Sequence, residues 1–354
     1  MRNSKSNSRK NSKKKGVELL SFVVPLYDEE EVIPELRRRV EAFNAQAPCE
    51  TEWIFVNDGS RDSTAALLRA WAYEKPEIKI LSLSRNFGQQ AAITAGLDHI
   101  SGDAVVVMDG DLQDPPELVL QMLLKHQEGF DVVYAKRMKR DGESWLKLAS
   151  ASIFYWVMKK FVHGDLPENV GEFRLMSRRV VEALQTLREG HRFIRGMTTW
   201  LGFPQTAILF ERPPREFGAT KFPFLKMMRF ACDAIFSFSS LPIRLGVYLG
   251  IPFMLLGAGM GTYSLYQKLF LGGLVPGWAS LVVLTSLFGG IQLFCLGIFG
   301  SYVGRIYEEM KYRPLYIIED AVNLAGITAP TRAVVPSKRS ASQSISPIRR
   351  SMGG

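Results

Sequence analysis

The chain has 354 residues, 47% hydrophobic and 22% charged, with a formal net charge of +9. That length holds one sizeable α/β domain with additions. The position of the charge argues against a nucleic-acid-binding face: seven Lys or Arg fall in residues 1–15 and five in residues 331–354, with no acid in either stretch.

Both tails are Ser-rich and low in complexity, so residues 1–17 and 331–354 are predicted to be disordered, and beside a membrane their charge would draw them to anionic headgroups. The opening residues lack the apolar core of a secretory signal. Strand-like runs follow at Leu19–Pro25, Trp53–Val56, Ile78–Leu83, Ala104–Met108 and Asp131–Ala135, alternating with helical stretches such as Val32–Asn44 and Ser63–Trp71. This alternation predicts a doubly wound, mostly parallel sheet, whose ligands bind beyond the carboxyl ends of the strands. At those ends stand the loop from Pro25 to Glu31, with Asp28, Glu29, Glu30 and Glu31, and the turn Asn57-Asp58-Gly59-Ser60. Acidic side chains there can accept hydrogen bonds from a nucleoside, and Gly59 allows close backbone approach.

The run VVVMDGDLQDPPE (Val105–Glu117) is the most informative. It ends a buried strand in Asp109 and Asp111, followed by Gln113 and the Pro115-Pro116 stop. Two carboxylates and an amide are hard oxygen donors suited to Mg²⁺ or Mn²⁺ bridging phosphate oxygens. The cysteines (Cys49, Cys232, Cys295) and histidines (His99, His126, His163, His191) show no metal-ligand spacing, which fits a reducing compartment without disulfides.

Further along, Trp145–Val162 and Phe222–Phe238 mix aromatics with Lys and Arg and are expected to lie in a membrane interface, with ordinary surface helices packed on the sheet as the other reading. Two uncharged runs follow, Leu245–Gln267 and Trp278–Val303. At 1.5 Å per residue the first extends about 34 Å, enough to cross a bilayer core of about 30 Å. The short link between them predicts a two-helix transmembrane hairpin. Arg244, Arg305, Lys311 and Arg313 flank its ends and only Lys268 marks the far loop, which puts both termini in the cytoplasm. Gly257, Gly261, Gly300 and Gly304 have the spacing that lets helices pack closely, within the hairpin or between protomers.

Five segments then occur in a telling order: FVVPLYDEEE (Phe22–Glu31), FVNDGSRDST (Phe55–Thr64), LSRNFGQQAAITAGLDHISGD (Leu83–Asp103), the acidic run, and GEFRLMSRRVV (Gly171–Val181). Together they resemble the family 2 glycosyltransferases that move a sugar from a nucleotide onto a polyprenyl phosphate. The nearest type is the bacterial undecaprenyl-phosphate (bactoprenol) glucosyltransferases, and dolichol-phosphate mannose synthase is a more distant relative. The resemblance implies a GT-A-like catalytic domain over 18–221, a juxtamembrane amphipathic segment over 222–243, the two spans within 244–304 and a cytoplasmic segment over 305–330. It implies a multi-pass protein of the bacterial inner membrane.

The resemblance also implies site roles. Asp58 matches the base-contacting aspartate, with Pro25, Tyr27, Glu29, Gly59 and Asp109 around the nucleotide. Asp111, Gln113 and Asp109 would hold the metal. Glu172 occupies the position of the catalytic base, usually an Asp, and Asp28 stands where many relatives have Asn. For the acceptor phosphate the cations in or beside the facing loops are Lys136, Arg137, Arg174, Arg212, Arg215 and Lys221, with Arg174 and Arg215 favoured because arginine grips phosphate in a bidentate manner. The implied reaction is inverting transfer, with UDP-glucose as first donor and UDP-N-acetylglucosamine, GDP-mannose or a modified arabinose donor left open. The resemblance suggests a homo-oligomer, and a two-helix hairpin too small to form a lipid channel suggests a separate flippase. A noncatalytic membrane scaffold is the reading from another class, and the intact Asp109, Asp111 and Gln113 count against it. A processive synthase would carry a Gln-x-x-Arg-Trp motif, and a nucleotidyltransferase a Gly-rich phosphate loop near the first strand; neither motif appears.

Overall fold

The apolar run from Leu19 forms strand β1 (Leu19–Leu26), central in an eight-stranded sheet; the computed structural model describes residues 16–137, 170–190, 192–210, 241–270 and 277–324. The chain continues through α1 (Ile33–Asn44), β2 (Glu50–Asn57), α2 (Thr64–Glu74), β3 (Ile78–Leu83), α3 (Gln89–Asp98), β4 (Ala104–Val107) and α4 (Leu118–Gln127). There follow β5 (Val132–Arg137), β6 (Val170–Ser177), α5 (Arg178–Thr186), α6 (Ile194–Trp200), β7 (Gln205–Phe210), α7 (Leu241–Phe270), α8 (Trp278–Met310) and β8 (Ile318–Val322).

The strands lie in the order β7, β5, β6, β4, β1, β2, β3, β8. Pairings β1–β2, β1–β4, β2–β3 and β5–β7 are parallel, while β4–β6, β5–β6 and β3–β8 are antiparallel. The sheet is thus mixed, with the parallel order dominant. From β1 the chain winds outward through β2 to β3, then returns to place β4 on the other side of β1. Such a reversal opens a crevice beyond the carboxyl ends of β1 and β4, where α/β sheets bind ligands.

Burial on both faces explains why the first strands read as continuous apolar runs. Alternate residues of β1 divide between two cores: Leu20, Phe22 and Val24 pack with Phe43, Trp53 and Trp71, while Val23 packs with Ile54, Ile93 and Val105. Helix α1 buries Ile33, Leu36, Val40 and Phe43, the one-sided helical spacing, and starts on a proline in its first turn.

At the amino-terminal edge of the sheet, Glu52 of β2 is buried and accepts bonds from Ser21 Oγ, Lys79 Nζ and the Ser101 and Gly102 N–H groups. Burial alone would raise its pKa, but the bonds from Lys79, Ser21 and Ser101 overcome that and hold the carboxyl below its ordinary value. A carboxyl lowered in the folded state contributes stability that is complete above the unfolded pKa of about 4.3 and is lost as pH falls through the lowered folded value. Glu52→Gln should therefore cost about 2–3 kcal/mol at neutral pH, because it weakens several buried bonds at once. The variant's apparent Tm should also fall less steeply below about pH 4 than that of the parent protein; parallel Tm–pH curves would refute the assignment.

Helices α7 and α8 have 30 and 33 residues. Among the described residues, Leu287–Met310, with mean hydropathy 1.5, is long and apolar enough to cross a membrane. Phe288 of α8 approaches Gly257 of α7, its ring 3.5 Å from where a Cβ would stand, whereas a Cβ at Gly261, Gly300 or Gly304 would meet nothing within 4 Å. Among the described residues, contact across the helix pair is seen at Gly257 and not at the other three glycines. The amphipathic stretches Trp145–Val162 and Phe222–Phe238 lie outside the described residues.

After α8 the chain returns to the sheet, and the segment expected over 305–330 contributes β8, paired antiparallel to β3. Arg69 pairs with Asp320 at 2.8 Å, Tyr316 Oη donates to Asp98 Oδ2 at 2.8 Å, and Asn323 Nδ2 donates to the carbonyls of Ala72 and Ile78 at 2.7 and 2.8 Å. The Gly190 N–H donates to Glu309 Oε1 at 2.7 Å. These bonds fix the end of α8 against the domain.

Candidate active site

Three loops meet in the crevice. After β1, the Asp28 N–H donates to Ser60 Oγ at 3.0 Å, the Glu29 N–H to Thr64 Oγ1 at 3.0 Å, and Asp28 Oδ1 accepts from the Arg61 N–H at 2.8 Å. The Pro25 loop and the turn after β2 are thus one knitted unit. Asp28 sits at φ 50°, a left-handed conformation that Asp and Asn adopt more readily than most residues. Pro25, Tyr27 and Glu29 are half-buried along its rim.

Asp58 is buried, and its two oxygens accept the N–H groups of Phe87 and Gly88 at 2.7 and 2.9 Å. Burial raises its pKa even though these bonds pull the other way. Its carboxylate anchors the loop leading into α3, a task additional to the nucleoside contact expected from sequence. Gly59, at φ 67°, lies against that loop, and a Cβ there would stand 2.4 Å from the Arg85 carbonyl carbon. Gly59→Ala should therefore push the two loops apart and weaken UDP affinity at least about tenfold, since backbone rather than a flexible side chain must move. Calorimetric titration of UDP checks this, and an unchanged Kd would refute it.

The turn after β4 alternates inward and outward. Leu112 and Asp114 are buried, and Asp109, Asp111 and Gln113 are half-buried toward the crevice. The Asp109 N–H donates to Asp114 Oδ2 at 3.0 Å, the Gln113 N–H to Asp111 Oδ1 at 3.2 Å, and Arg39 Nη1 to the Leu112 carbonyl at 3.0 Å. Leu112 takes φ 63°, an uncommon conformation for a residue with a Cβ, held by its buried side chain and by Arg39. Gly110 lets the turn lie on β1, where a Cβ would stand 2.2 Å from Leu26 Cδ2.

Glu172 comes from β6, which runs antiparallel beside β4 with Arg174 opposite Val107. The residue two before Arg174 therefore reaches the start of the Asp109 turn. Glu172 is buried, with Gln90 Nε2 donating to Oε1 at 3.2 Å and Arg195 Nε at 2.9 Å from the same oxygen. The neighbouring Gln89 Nε2 donates to Asp109 Oδ1 at 2.7 Å. Consecutive glutamines at the start of α3 thereby tie the acidic turn to Glu172. Gln89, Gln90 and Arg195 were not singled out by sequence reasoning, although FGQQ belongs to a segment that carries the resemblance.

Arg174, expected to face the acceptor phosphate, is buried, and its guanidinium donates to the carbonyls of Glu172 and Gly171 at 3.2 and 2.9 Å and to Thr198 Oγ1 at 2.9 Å. Burial lowers its pKa to about 10 despite the opposing charge of Glu172. These bonds make it a strut between β6 and α6. Lys136 is half-buried on β5 opposite Val170, and Arg137 closes that strand. Arg212, Arg215 and Lys221 lie outside the described residues, as does the side chain of Arg137.

Among the described residues no three His, Cys, Asp or Glu side chains cluster to hold a metal. Asp109, Asp111 and Gln113 thus form a partial oxygen donor set, which fits a hard cation whose coordination is completed by substrate phosphates and water rather than by an all-protein cage.

The model of glycosyl transferase family 2 matches residues 21–185. An uncharacterized glycosyltransferase of Bacillus subtilis, YkcC, is 45% identical over 86% of this chain and 94% of its own length. A bactoprenol glucosyl transferase of Shigella phage SfV is 41% identical over 85% of this chain and 98% of its own, and a prophage homologue in Escherichia coli is 39% identical over the same shares. Among solved structures, glucosyl-3-phosphoglycerate synthase from Mycobacterium tuberculosis with Mn²⁺, UDP and phosphoglyceric acid aligns with a TM-score of 0.42 at 17% identity, covering 62% of this chain and 76% of that one.

Proposed function

We propose that this chain, which belongs to glycosyl transferase family 2, moves a sugar from a nucleotide diphosphate onto polyprenyl phosphate, with UDP-glucose and undecaprenyl phosphate as first donor and acceptor. The observation that carries the reading is the joining of the Asp109–Gln113 turn to Glu172 through Gln89 and Gln90 at the carboxyl end of β4. An acidic turn and a buried carboxylate bordering one crevice support this reading. The names of the relatives point to the acceptor and to glucose.

Pro25, Tyr27, Glu29, Asp58 and Gly59 would line the nucleoside. Asp111, Gln113 and Asp109 would hold Mg²⁺ or Mn²⁺, which when bound offsets the charge developing on the departing diphosphate. An oxygen of the acceptor phosphate forms the new bond to the anomeric carbon as the bond to the diphosphate breaks on the opposite side, so an α-linked donor gives a β-linked product. A phosphate monoester has its second pKa at about 6, so most of the acceptor is already deprotonated at neutral pH. Glu172 then serves mainly to orient the acceptor and to take the proton of the monoanionic fraction. Lys136 and Arg137, with Arg212, Arg215 and Lys221, are the cations we assign to the acceptor's charge.

The lipid acceptor requires a membrane, and α7 and α8 are read as a hairpin crossing it from the cytoplasmic side of a bacterial inner membrane. Leu281, Leu293, Leu296 and Phe299 are exposed along α8, as lipid-facing residues would be. The return of β8 to the sheet keeps the end of α8 on the side of the catalytic domain, in agreement with the flanking Arg and Lys. Two helices are too few to line a lipid channel, so transfer of the product across the bilayer would fall to a separate flippase. Unchanged export in cells lacking every such protein would remove that partner.

The test is transfer of radiolabelled sugar from UDP and GDP donors to undecaprenyl phosphate by the purified protein with Mg²⁺ or Mn²⁺. Label in the lipid phase from one donor establishes reaction and sugar together. Absence of label from every donor, with UDP binding intact, would overturn the reading in favour of a scaffold that retains a nucleotide site.

A further inference from the structure

We infer that Arg195 and Gln90 act as a positioning pair that fixes the Glu172 carboxylate for transfer, an inference that rests on the function proposed above. Both meet the same oxygen: Gln90 Nε2 lies 3.2 Å and Arg195 Nε 2.9 Å from Glu172 Oε1. The other oxygen, Oε2, is buried with no hydrogen-bond partner, and Arg174 Nη2 forms an ion pair with it at 3.6 Å. A buried carboxylate oxygen left in that state is costly unless another group fills the position. In the proposed reaction the group that can donate to it is the P–OH of the monoanionic acceptor, whose proton Glu172 takes.

The two holders are themselves held. Gln90 Oε1 accepts the Ile194 N–H at 2.9 Å, which orients the amide so that its nitrogen faces Glu172. Arg195, the next residue, donates from Nη1 to the Val170 carbonyl at 2.8 Å and lies with its guanidinium carbon 5.1 Å from the Phe193 ring centroid. Helix α3, helix α6 and the start of β6 therefore converge on one oxygen. Glutamate has one more rotatable bond than the aspartate the family resemblance implies here, so its carboxylate sweeps a wider arc, and the Gln90 hydrogen bond together with the Arg195 ion pair on Oε1 restricts that freedom, although Arg195 Nε is not aligned for a hydrogen bond. Arg174 faces Oε2 at 3.6 Å, but its hydrogen bonds go to the backbone and to Thr198 rather than to the carboxylate.

The test is a double-mutant cycle on purified protein in detergent, with transfer to undecaprenyl phosphate as the readout and metal-dependent UDP affinity as the check on folding. Transfer by the parent protein is measured first; its absence overturns the functional reading itself, and with it any role for the pair in transfer. Given transfer, Arg195→Ala should lower kcat about 10–100-fold and leave KM for donor and acceptor within about threefold, as loss of positioning alone requires. Arg195→Lys should recover part of that loss. In the Glu172→Gln background the same Arg195→Ala change should cost less than about threefold, because the group it positions is already altered. Equal losses in both backgrounds, or a raised acceptor KM with kcat intact, would overturn the inference and make Arg195 a phosphate ligand in its own right. If Arg195→Ala loses UDP binding, Gln90→Ala carries the same cycle with the same criteria.

Discussion

Asp111→Asn should abolish metal-dependent UDP binding and lower sugar transfer by about 10³-fold, equivalent to roughly 4 kcal/mol of transition-state stabilisation. The substitution keeps the shape of the turn: an Asn Oδ1 can still accept the Gln113 N–H that Asp111 Oδ1 accepts at 3.2 Å. The turn has further supports in Arg39 on the Leu112 carbonyl, Asp114 on the Asp109 N–H and the buried Leu112 side chain. What changes is one negative charge at the point where a hard cation needs it. Apparent Tm without metal should consequently stay within about 2 °C of the parent, consistent with a surface change of under ~0.5 kcal/mol. The stabilisation that UDP and Mn²⁺ together give the parent should vanish in the variant. Retained metal-dependent UDP binding would remove Asp111 from the metal site.

The nucleotide half of the fold was legible because its strands are buried on both faces and its loops carry acids at the strand ends. Strands β1, β2, β3 and β4 match the apolar runs closely, and the crevice follows from their order. Strand β6 was harder to see as a strand, since it buries Glu172 and Arg174 where a sheet core normally holds apolar residues. Their spacing of two does place both on one face, as the period of a strand requires. Spacing could not show that Arg174 spends its guanidinium on neighbouring carbonyls. Strand β8 has five residues, three of them Glu, Asp and Ala, and gains its place from pairing with β3 after a long excursion through α7 and α8. No local propensity signals such a return. Gln89, Gln90 and Arg195 were missed for a related reason: their roles come from tertiary approach to Asp109 and Glu172, and uncharged glutamines at a helix start usually read as solvated.

Glu172→Asp is expected to lower kcat about 10–100-fold with little change in donor KM, although it installs the residue that the family resemblance implies at this position. Shortening the side chain draws the carboxylate back by about an ångström, and misplacement on that scale costs up to about 100-fold when orientation is the main contribution. In this chain the partners are set for the longer acid: Gln90 and Arg195 meet Oε1 at 3.2 and 2.9 Å, and Gln90 is itself fixed by the Ile194 N–H. Glu172→Gln should cost more, about 10²–10⁴-fold, because it removes both the charge and the proton acceptor. If the acceptor arrives as the dianion, the loss should lie at the low end of that range and should grow as pH falls below about 6, where the monoanion dominates and a proton must be taken up. Measuring kcat for both variants between pH 5 and 8 separates the contributions. A Glu172→Asp protein as active as the parent would mean that the carboxylate's position is not set by Gln90 and Arg195. A Glu172→Gln protein with a flat loss across pH would confine Glu172 to orientation, with no part in moving the proton.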